Sequence, residues 1–169
     1  DLDLANLEGK RIDIDLGAAM MAWRMGTIYH VLGEKLSPEV RKIIEDELRR
    51  RIFEPYREMV EGRDKAHWWL KGENNWNAVC LGGVTGAALA VVDSPEERAW
   101  FVAAAEQYIA YFLKSFTPDG YCTEGLGYWN YGYGHFLMLT EAVYLATDGK
   151  VDFLKLEGAA LPGELGARF

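Results

Sequence analysis

Residues 76–92, WNAVCLGGVTGAALAVV, constrain this chain more than any other stretch. The segment carries no charged residue and is apolar nearly all round. A helix of that kind is stable only where other elements cover every face. Gly82, Gly83 and Gly86 lie inside it, and each costs roughly 1 kcal/mol relative to alanine in a helix interior. Such a run is tolerated where another backbone packs too closely to admit a Cβ. The segment therefore predicts a buried helix with a close neighbour, ended by Asp93.

The rest of the chain supplies the covering helices. Over residues 15–32 apolar positions dominate, among them Leu16, Met20, Trp23, Ile28 and Val31, and Gly33 is placed to end the helix. Ser37-Pro38-Glu39 offers an N-cap, a proline at the first helical position and an early acid. The stripe Val40, Ile43, Ile44, Leu48 and Ile52 then keeps helical spacing, with the charges of residues 45–51 on the solvated face. Pro55 should break or kink this helix. A polar, aromatic connector covers residues 61–75. After the buried segment, Ser94-Pro95-Glu96-Glu97 has a capping-box pattern, ahead of Phe101, Ala104, Tyr108 and Phe112. Residues 115–125 read as a loop with Pro118 and Asp119-Gly120 as turn chemistry. A last long helix reaches Thr147 and closes at Asp148-Gly149.

No strand pattern is evident. Amphipathic helices paired with buried ones are how concentric helical barrels are built. The expected fold is all-α, an incomplete (α/α) toroid of helical hairpins over residues 1–156, because five or six helices cannot close a full ring of six hairpins. Residues 157–169, with three glycines and a proline, are expected to be a loose C-terminal tail.

Composition narrows the function. Half the chain is hydrophobic and 13% aromatic, enough for a substantial core. The net charge of −8 and the absence of a dense Lys/Arg block argue against nucleic acid. The same balance favours a carboxylate-bearing partner over a heavily sulfated one. No stretch is long and apolar enough to suggest a membrane span. No signal peptide is expected, and a chain beginning at Asp1 leaves the compartment open. Cys80 and Cys122 have no metal-type spacing and pair only if the fold brings them together. His30 lies on an apolar helix and reads as a core or edge residue.

Two segments gather chemistry at helix starts and loops, where sites concentrate. One is WWLKGENNWNAVC, residues 68–80; the other is PDGYCTEGLGYWNYGYGH, residues 118–135. Asn74 and Asn75 are in place to cap the buried helix. Tyr128, Trp129, Tyr131 and Tyr133 interleave with Gly127, Gly132 and Gly134, a poor helix interior that suits a rim for stacking sugar rings. Plain core is the other reading of those aromatics, as it is for Trp68 and Trp69.

The NNWNAVC and DGYCTEGLGYWNYG stretches resemble those of heparinase II/III-like proteins. More distantly they resemble the helical toroids of alginate and chondroitin/hyaluronate lyases, over residues 13–147. The resemblance implies a polysaccharide lyase that cleaves a uronic-acid-containing glycan by β-elimination, in the periplasm or outside the cell. No metal and no organic cofactor are expected of these residues. The resemblance also implies a β-sandwich partner domain, expected to be absent from these 169 residues.

Elimination removes the proton beside the uronate carboxylate and protonates the departing glycosidic oxygen. The carboxylate must be neutralised first, because the enolate adds a second negative charge, and amide donors can do this as in an oxyanion hole. By resemblance Asn75 takes that role, at a helix start whose dipole also favours an anion. A tyrosine would be acid, base or both, and as base near neutral pH its usual pKa of about 10 must fall. Related toroidal lyases often carry an Asn-His pair; here Trp76 follows Asn75, which favours one tyrosine doing both transfers. Tyr131 best matches the separation from Asn75, and Tyr133 matches the longer hyaluronate-lyase pattern. His135 or His67 would stand in for the missing histidine. Glu124 would share the carboxylate contact if protonated, or orient a partner. Trp68, Trp69, Asn74, Trp76, Tyr128 and Trp129 are the expected substrate contacts.

Two other functions fit the same residues. A glycoside hydrolase on a helical barrel would use two carboxylates, Glu124 with Asp119 or Glu73. A non-catalytic carbohydrate-binding domain would keep the aromatic groove without turnover.

Overall fold

The computed structural model describes residues 13–63 and 68–168. Local capping sets most of the helix boundaries. Asp15 Oδ1 accepts from the Ala18 N–H at 2.7 Å and opens α1 (Leu16–Leu32), which ends on Gly33 at φ 50°. Ser37 accepts from the Val40 N–H and opens α2 (Pro38–Leu48).

Pro55 does not stop the chain's helical course. A π-type turn, Arg49–Phe53, leads straight into α3 (Glu54–Val60). Proline donates no N–H and crowds the carbonyl four residues back, and the widened turn absorbs both defects. The expected break is thus a bulge.

A 3-10 turn, Trp68–Lys71, precedes α4 (Asn75–Val91), and Ser94 Oγ accepts from the Glu97 N–H at 3.1 Å to open α5 (Pro95–Leu113). The single turn α6 (Leu126–Tyr128) runs through a second π-type segment, Trp129–Tyr133, into α7 (Gly134–Ala146). Asp148 at φ 51° and Gly149 at φ 73° turn the backbone away at its end. Among the described residues there is no strand, only an isolated antiparallel bridge between Phe116 and Cys122. The protein is all-α.

Helix α4 is the hub on which α1, α5 and α7 pack. Its glycines do what their cost implied. A Cβ at Gly83 would stand 2.2 Å from the Ala19 carbonyl oxygen, and one at Gly86 would stand 2.8 Å from the Trp23 ring. From the other side, a Cβ at Gly26 would meet Ala87 Cα at 2.9 Å. The backbones of α1 and α4 meet along this seam of small residues.

Aromatics fill the core beside it. Tyr56 stacks between Trp69 and Phe101 at centroid distances of 6.3 and 5.9 Å. Arg49 and Arg57 both reach Glu97, at 3.2 and 3.3 Å, and tie α3 and the turn before it to the start of α5. That carboxylate, which a capping box would turn back onto Ser94, is drawn to the two guanidiniums. Hydrogen bonding from Arg49 holds it below the usual carboxylate range.

The C-terminal segment departs from the loose tail expected of it. A one-turn helix, α8 (Leu161–Gly166), sits against the second π-type segment. The Tyr133 hydroxyl donates to the Ala159 carbonyl at 2.9 Å, and Trp129 Nε1 donates to the Pro162 carbonyl at 3.2 Å. A Cβ on Gly166 would collide with the Trp129 ring at 2.6 Å. Gly163 and Gly166, which read as looseness, provide close packing instead.

Candidate functional site

The two motifs meet at the start of α4. Asn74 takes an extended conformation, and its Oδ1 accepts from the Trp76 N–H at 3.1 Å, a plain capping role. Asn75, at 3% exposure, follows as the first residue of the helix. Its backbone N–H donates to Glu124 Oε2 at 2.9 Å, and its side-chain Nδ2 donates to both carboxylate oxygens at 2.9 and 3.1 Å. A carboxylate at a helix N-terminus is electrostatically favoured. Asn75 therefore forms the two-donor anion fork that its chemistry suggests, and the protein fills the fork with its own carboxylate.

The loop of residues 115–125 delivers Glu124. Thr117 hydrogen-bonds Asp119 and the Tyr121 backbone, closing a turn at Gly120 (φ 88°). Thr123 ties back to the Ser115 carbonyl through both its N–H, at 3.2 Å, and its Oγ1, at 2.9 Å. Asp119 is engaged in the turn, and Glu73 faces Lys114 at 3.9 Å.

Beyond the loop, the segment Trp129–Tyr133 lies on the first turn of α4, where a Cβ on Gly132 would stand 3.2 Å from Asn75 Cβ. The two candidate tyrosines part company here. Tyr131 is half-buried and donates weakly to Met20 Sδ at 3.7 Å. Tyr133 is 4% exposed, and its hydroxyl is spent on Ala159. Its ring lies over Phe116, Trp129 and Phe136. Tyr133 thus holds the C-terminal segment, and of the pair Tyr131 is the one free for chemistry. Burial pushes both phenols above the ordinary tyrosine range. That direction is opposite to what a tyrosine base needs: Tyr131 rests as the neutral phenol.

His135 stands edge-on to Tyr131 at 4.8 Å between ring centroids, and its Nδ1 lies 2.7 Å from the Tyr131 carbonyl oxygen. A carbonyl oxygen only accepts, so Nδ1 carries the hydrogen. In the neutral ring Nε2 is then a lone pair that can take a proton. His135 lines a cavity of about 230 Å³ with Met20, Trp23, Arg24, Gly83 and Met138. Asn75 does not line it. His67 lies outside the described residues.

The expected sugar contacts divide. Trp68 is 56% exposed and packs against Trp76 at 5.2 Å, and Tyr128 is 51% exposed. Trp69, the next residue, is 1% exposed, and its Nε1 donates to the Ile14 carbonyl at 2.8 Å. It belongs to the core and offers no face to a ligand. Trp129 is half committed, bonded to Pro162 yet lining a pocket of about 390 Å³ with Tyr121, Leu126 and Asn130. A further cavity, about 470 Å³, lies between α1 and α2 and touches none of these residues.

Sequence reasoning missed Arg24. It is the one Lys or Arg in α1, a helix with no acidic residue, and that isolation was the available signal. Among the described residues it has no ion pair. Cys80 and Cys122 are both buried and unpaired, with burial raising both thiols. Among the described residues no group of His, Cys, Asp or Glu is arranged to hold a metal ion, and no helix is long and apolar enough to cross a membrane. No protein-family model and no curated protein matches the chain.

Proposed function

We propose that this protein is a polysaccharide lyase, its helical hairpins an arc of an (α/α) toroid, acting on a uronic-acid-containing glycan by β-elimination. The observation that carries the reading is the meeting of the two motifs: Asn75 and Glu124 at the start of α4, Tyr131 on the segment packed against it, and His135 beside Tyr131 in the first turn of α7. In this mechanism Nε2 of His135 takes the proton beside the uronate carboxylate. The neutral Tyr131 phenol gives its proton to the departing glycosidic oxygen as that bond breaks. The electron pair from the broken C–H bond becomes the new double bond of the sugar. Dividing the two transfers between two residues replaces the single-tyrosine scheme, because burial favours the protonated phenol. Asn75 meets the substrate carboxylate only when Glu124 shares the fork in its protonated form or swings away. Trp68, Trp76 and Tyr128 are the exposed aromatics that sugar rings would stack on.

A second reading, a carbohydrate-binding domain without turnover, draws on the same occupied fork. The deciding experiment incubates the protein with alginate, hyaluronan, chondroitin and heparan sulfate and follows the ultraviolet absorbance of unsaturated uronate ends. The lyase produces a rise that Tyr131→Phe and His135→Asn each abolish. Tyr133→Phe, in contrast, lowers stability by about 1 kcal/mol, the worth of one hydrogen bond, and keeps turnover. New reducing ends without absorbance would make the protein a hydrolase. Binding without either product would leave the carbohydrate-binding domain.

A further inference from the structure

Resting on that reading, we infer that Arg24 is the residue that holds the anionic substituent of the sugar at the reaction site, a role so far given to Asn75. Both Asn75 donors are held by Glu124, and Asn75 does not line the cavity where His135 opens. A carboxylate placed there needs another cation or donor within reach. Arg24 lines that cavity together with His135 and is exposed. Among the described residues it is bound to no acid, whereas Arg49, Arg50, Arg51, Arg57 and Arg63 each are.

The remaining wall suits a sugar ring. Trp23 lies across the glycines of α4, where a Cβ at Gly86 would touch its ring at 2.8 Å, and it adds an aromatic face to the cavity. Met20 supplies the sulfur that Tyr131 points at, so the phenol borders the same region. Aromatic wall, guanidinium and imidazole thus line one space of about 230 Å³, and the Tyr131 phenol reaches its Met20 wall. A guanidinium also brings a full positive charge and a planar fork of donors to a carboxylate, where an amide brings neutral donors alone. The ligand class is a sugar bearing a carboxylate or a sulfate ester.

The test measures binding to the intact protein by titration calorimetry with three probes. They are an unsulfated oligouronate, its carboxyl-reduced counterpart, and a sulfated oligosaccharide without carboxylates. Loss of one charge-assisted pair predicts that Arg24→Ala weakens the charged probe by about tenfold or more, with Arg24→Lys in between. The carboxyl-reduced probe should bind the wild type and Arg24→Ala alike. The preference between the two charged probes identifies the group that Arg24 holds. Equal affinity of wild type and Arg24→Ala for both charged probes overturns the inference, as does a wild type that binds neither. Arg24-dependent binding with no unsaturated product would uphold the site and sink the elimination instead.

Discussion

Replacing Gly83 with alanine tests the packing that brings α1 to the site. The new Cβ would lie 2.2 Å from the Ala19 carbonyl oxygen and 2.5 Å from its carbonyl carbon. Favourable contact begins at about 3.5 Å, so the overlap exceeds 1 Å at a backbone that has no side-chain freedom to swing aside. Alanine's better helix propensity offsets the strain by about 1 kcal/mol. Overpacking a core costs typically 1–3 kcal/mol and occasionally more, and a backbone-on-backbone clash belongs at the upper end. The net loss is about 2 kcal/mol, which for a chain of this size lowers Tm by roughly 4–8 °C. Gly134→Ala is the control, because nothing lies within 4 Å of its added Cβ. It should raise Tm slightly, through the same propensity gain of at most about 1 kcal/mol. Thermal unfolding followed by circular dichroism reads both. A Gly83→Ala protein at least as stable as wild type would refute the seam between α1 and α4, and with it the placing of Arg24 and His135 in one cavity.

Tyr56 is fully buried, and its hydroxyl has no hydrogen-bond partner among the described residues, so Tyr56→Phe should stabilise by about 1 kcal/mol in urea. Burial lifts the Tyr56 phenol above the ordinary tyrosine range, as it does those of Tyr131 and Tyr133. The folded state therefore keeps these protons longer than the unfolded chain. The stability they confer is present below the unfolded pKa of about 10 and is lost as pH rises past it. Tyr56→Phe should make that alkaline loss less steep, and an unchanged slope would count against the burial argument. Glu124→Ala leaves the buried Asn75 amide without its acceptor and should cost about 1–3 kcal/mol by chemical denaturation. No measurable change there would mean that the carboxylate does not hold the start of α4.

Much of the fold was legible in the chain. Asp15, Ser37, Asn74 and Ser94 cap their helices as their residue types predict, because a cap closes atoms two or three positions apart. The interior glycines of α4 announced a close neighbour correctly, since only a neighbour compensates their cost. The candidate site was legible only as two motifs. Both motifs converge, as expected of them, but their individual aromatics did not sort themselves. Trp68 and Trp69 are adjacent and chemically identical, yet one is 56% exposed and the other 1%. Tyr131 and Tyr133 share a glycine-flanked context, and the π-type turn that carries them adds a residue to the turn and shifts the face on which each one lands.

By itself, then, the sequence determined the helices, their ends, the buried character of α4 and the residues from which a site could be made. Those outcomes depend on bonds and periodicities within a few positions of each other. Only the tertiary structure decided which of those side chains stand together as a candidate site. Tyr131 meets Met20 across 111 positions, Asn75 meets Glu124 across 49, and Tyr133 is claimed by Ala159 across 26. Contacts at such separations follow from how α1, α7 and the C-terminal segment pack on their neighbours, and no local pattern in the chain encodes that placement.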